Sequence, residues 1–380
     1  MSNFASDTLG NYITEYSVRN KNGADIPVYS VSNDKGFCRD YFSKDVSSKD
    51  KSSYKIVPRG CFAYNPSRIN VGSIDWQHIE DNVIVSPLYV VFSTNDINND
   101  FLLYYLKSNA LMSYIKIYSA GSVRNNLRFK TLASFPVKVP SLETQRLIVA
   151  ELDSIIGIIE KKKEQLKELD NLAQSIFYNM FGDLIANEQS WEVKKLGDIC
   201  VPKKSILRAN KVFKKDETIH YIDISSVDNT QAVLTGTTSF VFGEAPSRAQ
   251  QQVEKNDILV SMVRPNLKNI AMVQYEDIYL VASSGFCVLR AKDCNPFFIK
   301  AFVLTERFTR YLTDLTTGAN YPAVREEDIK KCVIGVPPLN LQNEYAKKIE
   351  NIERQKELIK RSIEETETLF NSRMDYWFNK

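Results

Sequence analysis

The sequence predicts an α+β fold: two tandem-repeat α/β units separated by two long helices that form an antiparallel coiled coil, with pseudo-two-fold symmetry. Three observations predict it. One constant offset maps the later part of the first half of the chain onto the later part of the second. Short β-type runs and a helical-looking segment recur in the same order in both halves. A long seven-residue apolar pattern follows each of them.

The repeat comes first, because it organises everything else. Gly121 and Gly318 stand 197 positions apart (318 − 121), and the same offset pairs Ser86 with Ser283, Val91 with Val288, Asn98 with Asn295 and Phe101 with Phe298. It continues through Tyr114 and Tyr311, Arg128 and Arg325, Val139-Pro140 and Val336-Pro337, Leu142 and Leu339, Gln145 and Gln342, to Phe181 and Phe378. Upstream the offset drifts, as loops of varying length require. There Leu9-Gly10 resembles Leu196-Gly197, and IPVYSV (Ile26 to Val31) resembles IHYIDI (Ile219 to Ile224). The boundaries fall at 1–140 for the first unit, 141–183 for its long helix, 184–336 for the second unit and 337–380 for its long helix.

Each unit opens with short β-type runs separated by Asn, Asp, Gly and Ser clusters, such as YKIVPRGCFAYNP and DILVSMVRP. A helical segment follows, FLLYYLKSNALMSYI or FIKAFVLTERFTRYL, and then a loop with the matched glycine. A last β-type run, FPVKVP or CVIGVP, leads into the long helix.

In the first helix the seam is Ile148, Leu152, Ile155, Ile159, Leu166, Leu169, Ala173, Ile176 and Met180, interrupted by Lys162. In the second it is Tyr345, Ile349, Ile352, Ile359, Ile363, Phe370 and Trp377, interrupted by Lys356, Thr366 and Arg373. At 1.5 Å per residue each helix would be about 60 Å long, too long to form the core of its own unit. A narrow apolar stripe of this kind asks for a partner helix. The simplest partner is the other seam of the same chain, which puts the two units at opposite ends; a second chain is the alternative. Ile359 is apolar where Lys162 is not, and Ile159 where Lys356 is not, which favours pairing within the chain.

Composition narrows the function. The chain has 380 residues, a net charge of +3, and 49 basic against 46 acidic residues, so a basic face requires the charges to separate. The six cysteines (Cys38, Cys61, Cys200, Cys287, Cys294 and Cys332) form no C-x-x-C pair, and His78 and His220 are the only histidines, so neither zinc nor a disulfide framework is expected. The start of the chain lacks signal-peptide character, and apolar runs such as Ile84 to Phe92 are too short to span a membrane, so a cytoplasmic location is expected.

The sequence has no phosphate loop, no dinucleotide fingerprint and no nucleophile elbow. Asn65-Pro66 is followed by Ser67, not by the Pro-aromatic pair of an amino-methyltransferase clamp. Glu192-Val193-Lys194 has the E-x-K spacing of nucleases, a triplet that arises constantly by chance. A binding protein is expected, not an enzyme.

WEVKKLGDI (Trp191 to Ile199), VPSLETQ (Val139 to Gln145) and VPPLNLQ (Val336 to Gln342), placed on a tandem repeat with two long helices, resemble the specificity subunit of type I restriction–modification systems. The resemblance covers essentially the whole chain. Two departures stand out: Thr144 and Leu341 occupy the place of a usual Glu, and the first unit lacks the opening Trp. The resemblance implies that each globular unit is a target-recognition domain for one half of a split DNA sequence. It implies that the helices act as ruler and docking surface for two modification (methyltransferase) subunits, with restriction/translocase subunits joining for cleavage. No cofactor is expected on this chain; S-adenosylmethionine, ATP and Mg would belong to the partners. The competing reading is a coiled-coil scaffold for protein interaction, without DNA reading.

Candidate DNA-binding residues lie in loops rich in Arg, Asn, Lys and Tyr. They are Asn65, Ser67, Arg68, Arg124, Asn125, Asn126 and Lys130 in the first unit. In the second they are Arg264, Asn266, Lys268, Asn269, Asn320, Tyr321 and Arg325. Arg forks onto guanine and Asn onto adenine, whereas Lys and Arg on phosphates supply affinity. The same residue types also form ordinary turns. Arg128 and Arg325 match across the repeat, which suits a shared structural or phosphate role, and Lys161 to Lys163 read as a solvated helix face.

Overall fold

The computed structural model describes residues 7–39, 50–120, 126–316 and 322–379. The chain divides into two compact units, Met1–Lys163 with Arg361–Lys380, and Glu164–Lys360.

The first unit is built on an antiparallel four-stranded sheet in the order Ile13–Glu15, Val90–Thr94, Phe62–Tyr64, Ile74–Trp76. The YKIVPRGCFAYNP run splits into two strands, Lys55–Pro58 and Phe62–Tyr64. Phe62 and Phe92 stack across the sheet with ring centroids 5.0 Å apart. The buried face of the sheet packs on Phe101, Leu102, Leu106 and Leu111.

The second unit has a three-stranded antiparallel sheet, Ile270–Met272, Ile258–Ser261, Phe286–Leu289, and a four-stranded mixed sheet. In the mixed sheet Thr218–Ile222 runs parallel to Leu280–Ser283. The first unit keeps the parallel relation as a single bridge from Val28 to Ile84.

The helical segment expected in each unit is two helices. In the first unit these are Asn99–Lys107 and Asn109–Ala120, broken at Ser108; in the second, Pro296–Val303 and Glu306–Asp314, broken at Leu304 and Thr305. Short hydroxyl side chains explain the breaks: the Thr305 side chain accepts the Phe308 N–H at 3.2 Å, and Ser108 accepts that of Leu111 at 3.4 Å. The matched asparagines cap the first helix of each pair, Asn98 on Phe101 N and Asn295 on Phe297 N, both at 2.9 Å.

Each unit is closed by its own ends. Pro136–Val137 pairs with Asp7–Thr8, and Val333–Val336 with Glu192–Lys195. The Leu-Gly pairs follow directly, with Leu9 and Leu196 fully buried. A Cβ on Gly10 would stand 3.1 Å from the Ala133 carbonyl oxygen, and one on Gly197 would stand 3.0 Å from Lys330 Cβ. This close approach gives the repeated glycine its physical reason.

The long helices are Leu142–Phe181 and Leu339–Phe378, 40 residues each, and they pack against each other antiparallel. In the first unit Lys162 meets Ser362 while Glu151 meets Arg373; in the second Asp170 meets Lys356 while Phe177 meets Tyr345. Ile148, Leu152, Ile155, Ile159, Ile349, Ile352 and Ile363 are buried, and Leu166, Leu169, Ile176, Ile359 and Phe370 are half-buried.

The C-terminal ends of the helices enter the globular cores. Phe378 lies 5.4 Å from Phe101 in the first unit, and its repeat mate Phe181 lies 5.4 Å from Phe298 in the second. The polar interruptions are filled. Lys162 Nζ donates to Ser362 Oγ at 2.6 Å and Thr366 Oγ1 at 2.9 Å, so it belongs to the helix interface rather than to a solvated face. No helix among the described residues is long and apolar enough to cross a membrane.

Candidate nucleic-acid interface

In each unit the fold brings together two loops that lie far apart in the sequence. In the first, the strand Phe62–Tyr64 runs out into Asn65, Pro66, Ser67 and Arg68. The Leu127 N–H donates to the Pro66 carbonyl at 3.1 Å, and the Tyr64 hydroxyl donates to the Leu127 carbonyl at 3.1 Å. Leu127 is buried, so it anchors the second loop against the first. Ser67, Arg68, Asn126, Arg128 and Lys130 are exposed around this seam.

Asn65 is partly spent within its own turn, because its side-chain oxygen accepts from Ser67 N at 3.1 Å and Ser67 Oγ at 3.0 Å. The turn ends on Gly72 at φ 85°, where any Cβ would stand 2.2 Å from Asn33 Oδ1. Arg124 and Asn125 lie outside the described residues.

The second unit repeats the arrangement with tighter bracing. Ile258–Ser261 continues into Met262 to Asn269, which returns to Ile270–Met272. The Arg264 N–H donates to the Pro322 carbonyl at 2.8 Å, and the Val324 N–H to the Met262 carbonyl at 2.9 Å. Arg264 and Lys268 both adopt the left-handed region, at φ 49° and 50°, which side chains with a Cβ rarely occupy. Strained backbone of this kind persists only where surroundings impose it. Here Pro265 is buried between the two residues, Asn229 Nδ2 donates to the Leu267 carbonyl at 2.8 Å, and Lys268 forms an ion pair with Glu306.

Arg264, Asn266 and Arg325 are exposed, and Asn269 is half-buried. Lys268 is a brace for the loop, a role its loop position did not announce. Arg325 and Arg128 occupy equivalent helix N-cap positions, and the Arg325 N–H donates to Asp328 at 2.9 Å. The shared role inferred from their match is therefore at least structural. Asn320 and Tyr321 lie outside the described residues.

Sequence reasoning missed Asn229 and Glu306, which fix the strained loop from remote positions. No local motif marks either one.

Glu192 and Lys194 pair with each other at 3.0 Å on an exposed strand, which accounts for the E-x-K triplet. All six cysteines are free, and burial pushes the thiols of Cys200 and Cys332 up to about 12 and that of Cys294 up to about 11. Thiols raised in this way are poor nucleophiles and poor metal ligands. Among the described residues, no group of three or more His, Cys, Asp or Glu is placed to hold a metal ion.

Comparison with known proteins places this geometry. The model of the type I restriction modification DNA specificity domain matches residues 9–170 and again 188–368. Two relatives come from Methanocaldococcus jannaschii. The type I restriction enzyme MjaIX specificity subunit is 23% identical over 63% of this chain and 59% of its own length. The MjaVIII specificity subunit is 22% identical over 75% of this chain and 71% of its own length. The chain thus spans less than two thirds of the first relative.

A solved chain from work on complex assembly and conformational transition of the type I R-M system superposes over 99% of this chain and 97% of its own length. Its TM-score is 0.60 at 17% identity, a likeness of fold. With a family match in each half, the chain belongs to the type I restriction modification DNA specificity family and carries two copies of its domain.

Proposed function

We propose that this chain is the non-catalytic specificity subunit of a type I restriction–modification complex, reading double-stranded DNA at two separate half-sites. Target-recognition domains at 1–140 and 184–336 each read one half, and helices at 141–183 and 337–380 space them and dock two modification subunits. Restriction/translocase subunits join for cleavage, and S-adenosylmethionine, ATP and Mg act on the partners, in the cytoplasm.

The observation that carries this reading is the recurrence of one loop pair in both units. Ser67, Arg68, Asn126 and Lys130 stand around the first pair, and Arg264, Asn266, Asn269 and Arg325 around the second. Exposed Arg and Asn on a braced backbone suit readout of base edges, and Lys130 suits a phosphate. Asn65 and Lys268 shape their loops. Arg124, Asn125, Asn320 and Tyr321 belong to the same two loops by sequence.

Support for docking comes from apolar side chains left on the outer helix faces. In the second unit a shallow groove is lined by Leu169, Leu172, Leu358 and Ile359, with Leu172 47% and Leu358 60% exposed. In the first unit Leu147, Ile158 and Leu369 are exposed on the same two helices. The contiguous apolar groove of the second unit suits a partner surface.

The test is methylome sequencing of cells expressing this chain with its modification subunits. A methylated motif in two parts separated by a fixed gap is expected; a single contiguous motif, or none, would overturn the reading. The scaffold alternative predicts no DNA binding, whereas a reader loses affinity steeply as salt rises.

A further inference from the structure

The unit Glu164–Lys360 contains a cavity of about 370 Å³ between its portions of the two long helices, the helix Pro296–Val303 and the loop 229–232. Its floor is apolar, with Phe177, Phe297, Leu304, Tyr345 and Ile349. Three carboxylates and three lysines stand in the wall, and their pairing is uneven. Asp170 and Glu353 both accept from Lys356 Nζ, at 2.7 and 3.2 Å, and Glu306 pairs with Lys268.

Lys300 is the lysine left over. Among the described residues its ammonium has no hydrogen-bond or ion-pair partner, although it lines the cavity. Burial drives its pKa down, against the more distant charges of Glu353 and Asp170 and together with that of Lys356. Lys300 is half-buried, so its ammonium reaches the cavity with its donors free for an acceptor that enters from solvent. Every carboxylate of the wall is already committed to another lysine. A carboxylate entering from outside the chain would give Lys300 the same kind of pair that Lys356 and Lys268 already make in the wall.

We propose that this cavity binds a small monocarboxylate with an aromatic or branched aliphatic body. The carboxylate sits on the Lys300 ammonium, and the body covers the floor made by Phe297, Leu304 and Ile349. The volume lies at the lower end of small-molecule pockets, and an apolar floor with a few placed charged groups in the wall is typical of them. The site lies apart from the loops assigned to DNA, so it stands or falls independently of DNA reading.

Fluorine NMR on the full chain tests it, with 4-fluorophenylacetate as the probe and 2-(4-fluorophenyl)ethanol as its neutral counterpart. Saturable binding of the acid is expected, with the alcohol and the Lys300→Met chain each at least tenfold weaker. A second measurement needs no variant: acetylation of wild-type Lys300 by acetic anhydride, read by peptide mass spectrometry, should fall at least threefold under saturating acid. Exposed Lys292 should react as before. No saturable binding, equal binding of acid and alcohol, undiminished binding to Lys300→Met, or unprotected Lys300 would each overturn the proposal.

Discussion

The side-chain carbonyl of Gln145 accepts the backbone N–H of Asn98 at 2.8 Å, while its amide donates to the Pro140 carbonyl at 2.8 Å. One buried side chain thus ties the start of a long helix to the cap of the first short helix. Gln342 does the same for Asn295 and Pro337, at 2.9 and 2.7 Å. Both glutamines are 1% exposed, so water cannot replace them. Gln145→Ala or Gln342→Ala strands one donor and one acceptor, each costing about 1–3 kcal/mol. A loss of about 2–4 kcal/mol is expected in urea unfolding, with faster hydrogen exchange at Asn98 or Asn295 respectively. Unchanged exchange at those amides would remove the bridge from the account.

Gln145 and Gln342 also mark how far the sequence could be read. The constant offset identifies them as a matched pair, and periodicity exposes the helix seams, because both signals are local or repeat at a fixed interval. The role of the glutamines was not legible, since their partners Asn98 and Asn295 lie 47 positions away and are reached only by folding. The same limit hid Asn229 beneath Leu267 and Glu306 beside Lys268. The division of the helical segments at Ser108 and Thr305 was obscured by apolar residues that continue through both breaks. For the candidate site, composition pointed to the loops, but only the fold sets Leu127 against Pro66 and Arg264 against Pro322.

Glu151 predicts a response to acid. Its carboxylate accepts from Arg373 Nη2 and from Trp377 Nε1, both at 3.1 Å, and the Arg373 hydrogen bond chiefly holds its pKa below the usual 4.5. A depressed carboxylate pKa contributes stability that is present above the unfolded value and lost as pH falls through the folded one. The contribution is therefore intact at pH 6 and disappears on acidification below about 4.5. The pair is about one third exposed, so solvent limits it to about 1 kcal/mol at most. Glu151→Gln should lower Tm at pH 6, and by less at pH 3. An equal deficit at both pH values would assign the effect to packing.

Arg264 separates backbone strain from readout. Arg264→Ala and Arg264→Gly both delete the side chain, but only glycine relaxes at φ 49°. Left-handed backbone costs an L-residue about 1–2 kcal/mol, partly offset by the greater freedom of glycine in the unfolded chain. The glycine variant should be the more stable of the two by about 0.5–1 kcal/mol in thermal unfolding. Under the proposed function both lose discrimination equally at the base pair that Arg264 reads. Equal stability of the two variants would show that the loop carries no strain at this residue.

Asn266 and Lys130 separate sequence reading from affinity, and they do so in different units. Asn266 is exposed on the strained loop of the second unit, where a side-chain amide suits the paired donor and acceptor of adenine. Asn266→Ala in the complex with modification subunits should relax one position of one half-site, at a cost of about 1–3 kcal/mol, and leave the other half-site unchanged. Lys130 follows the anchored Leu127 loop in the first unit and is exposed, so its ammonium suits a phosphate. Lys130→Ala should weaken binding to all sequences alike and lower the slope of log affinity against log salt by about 1. Binding to a panel of half-site variants at several salt concentrations measures both effects. If Asn266→Ala altered both half-sites together, the assignment of one unit to one half-site would fail, because side chains on separate units would then share a single contact surface.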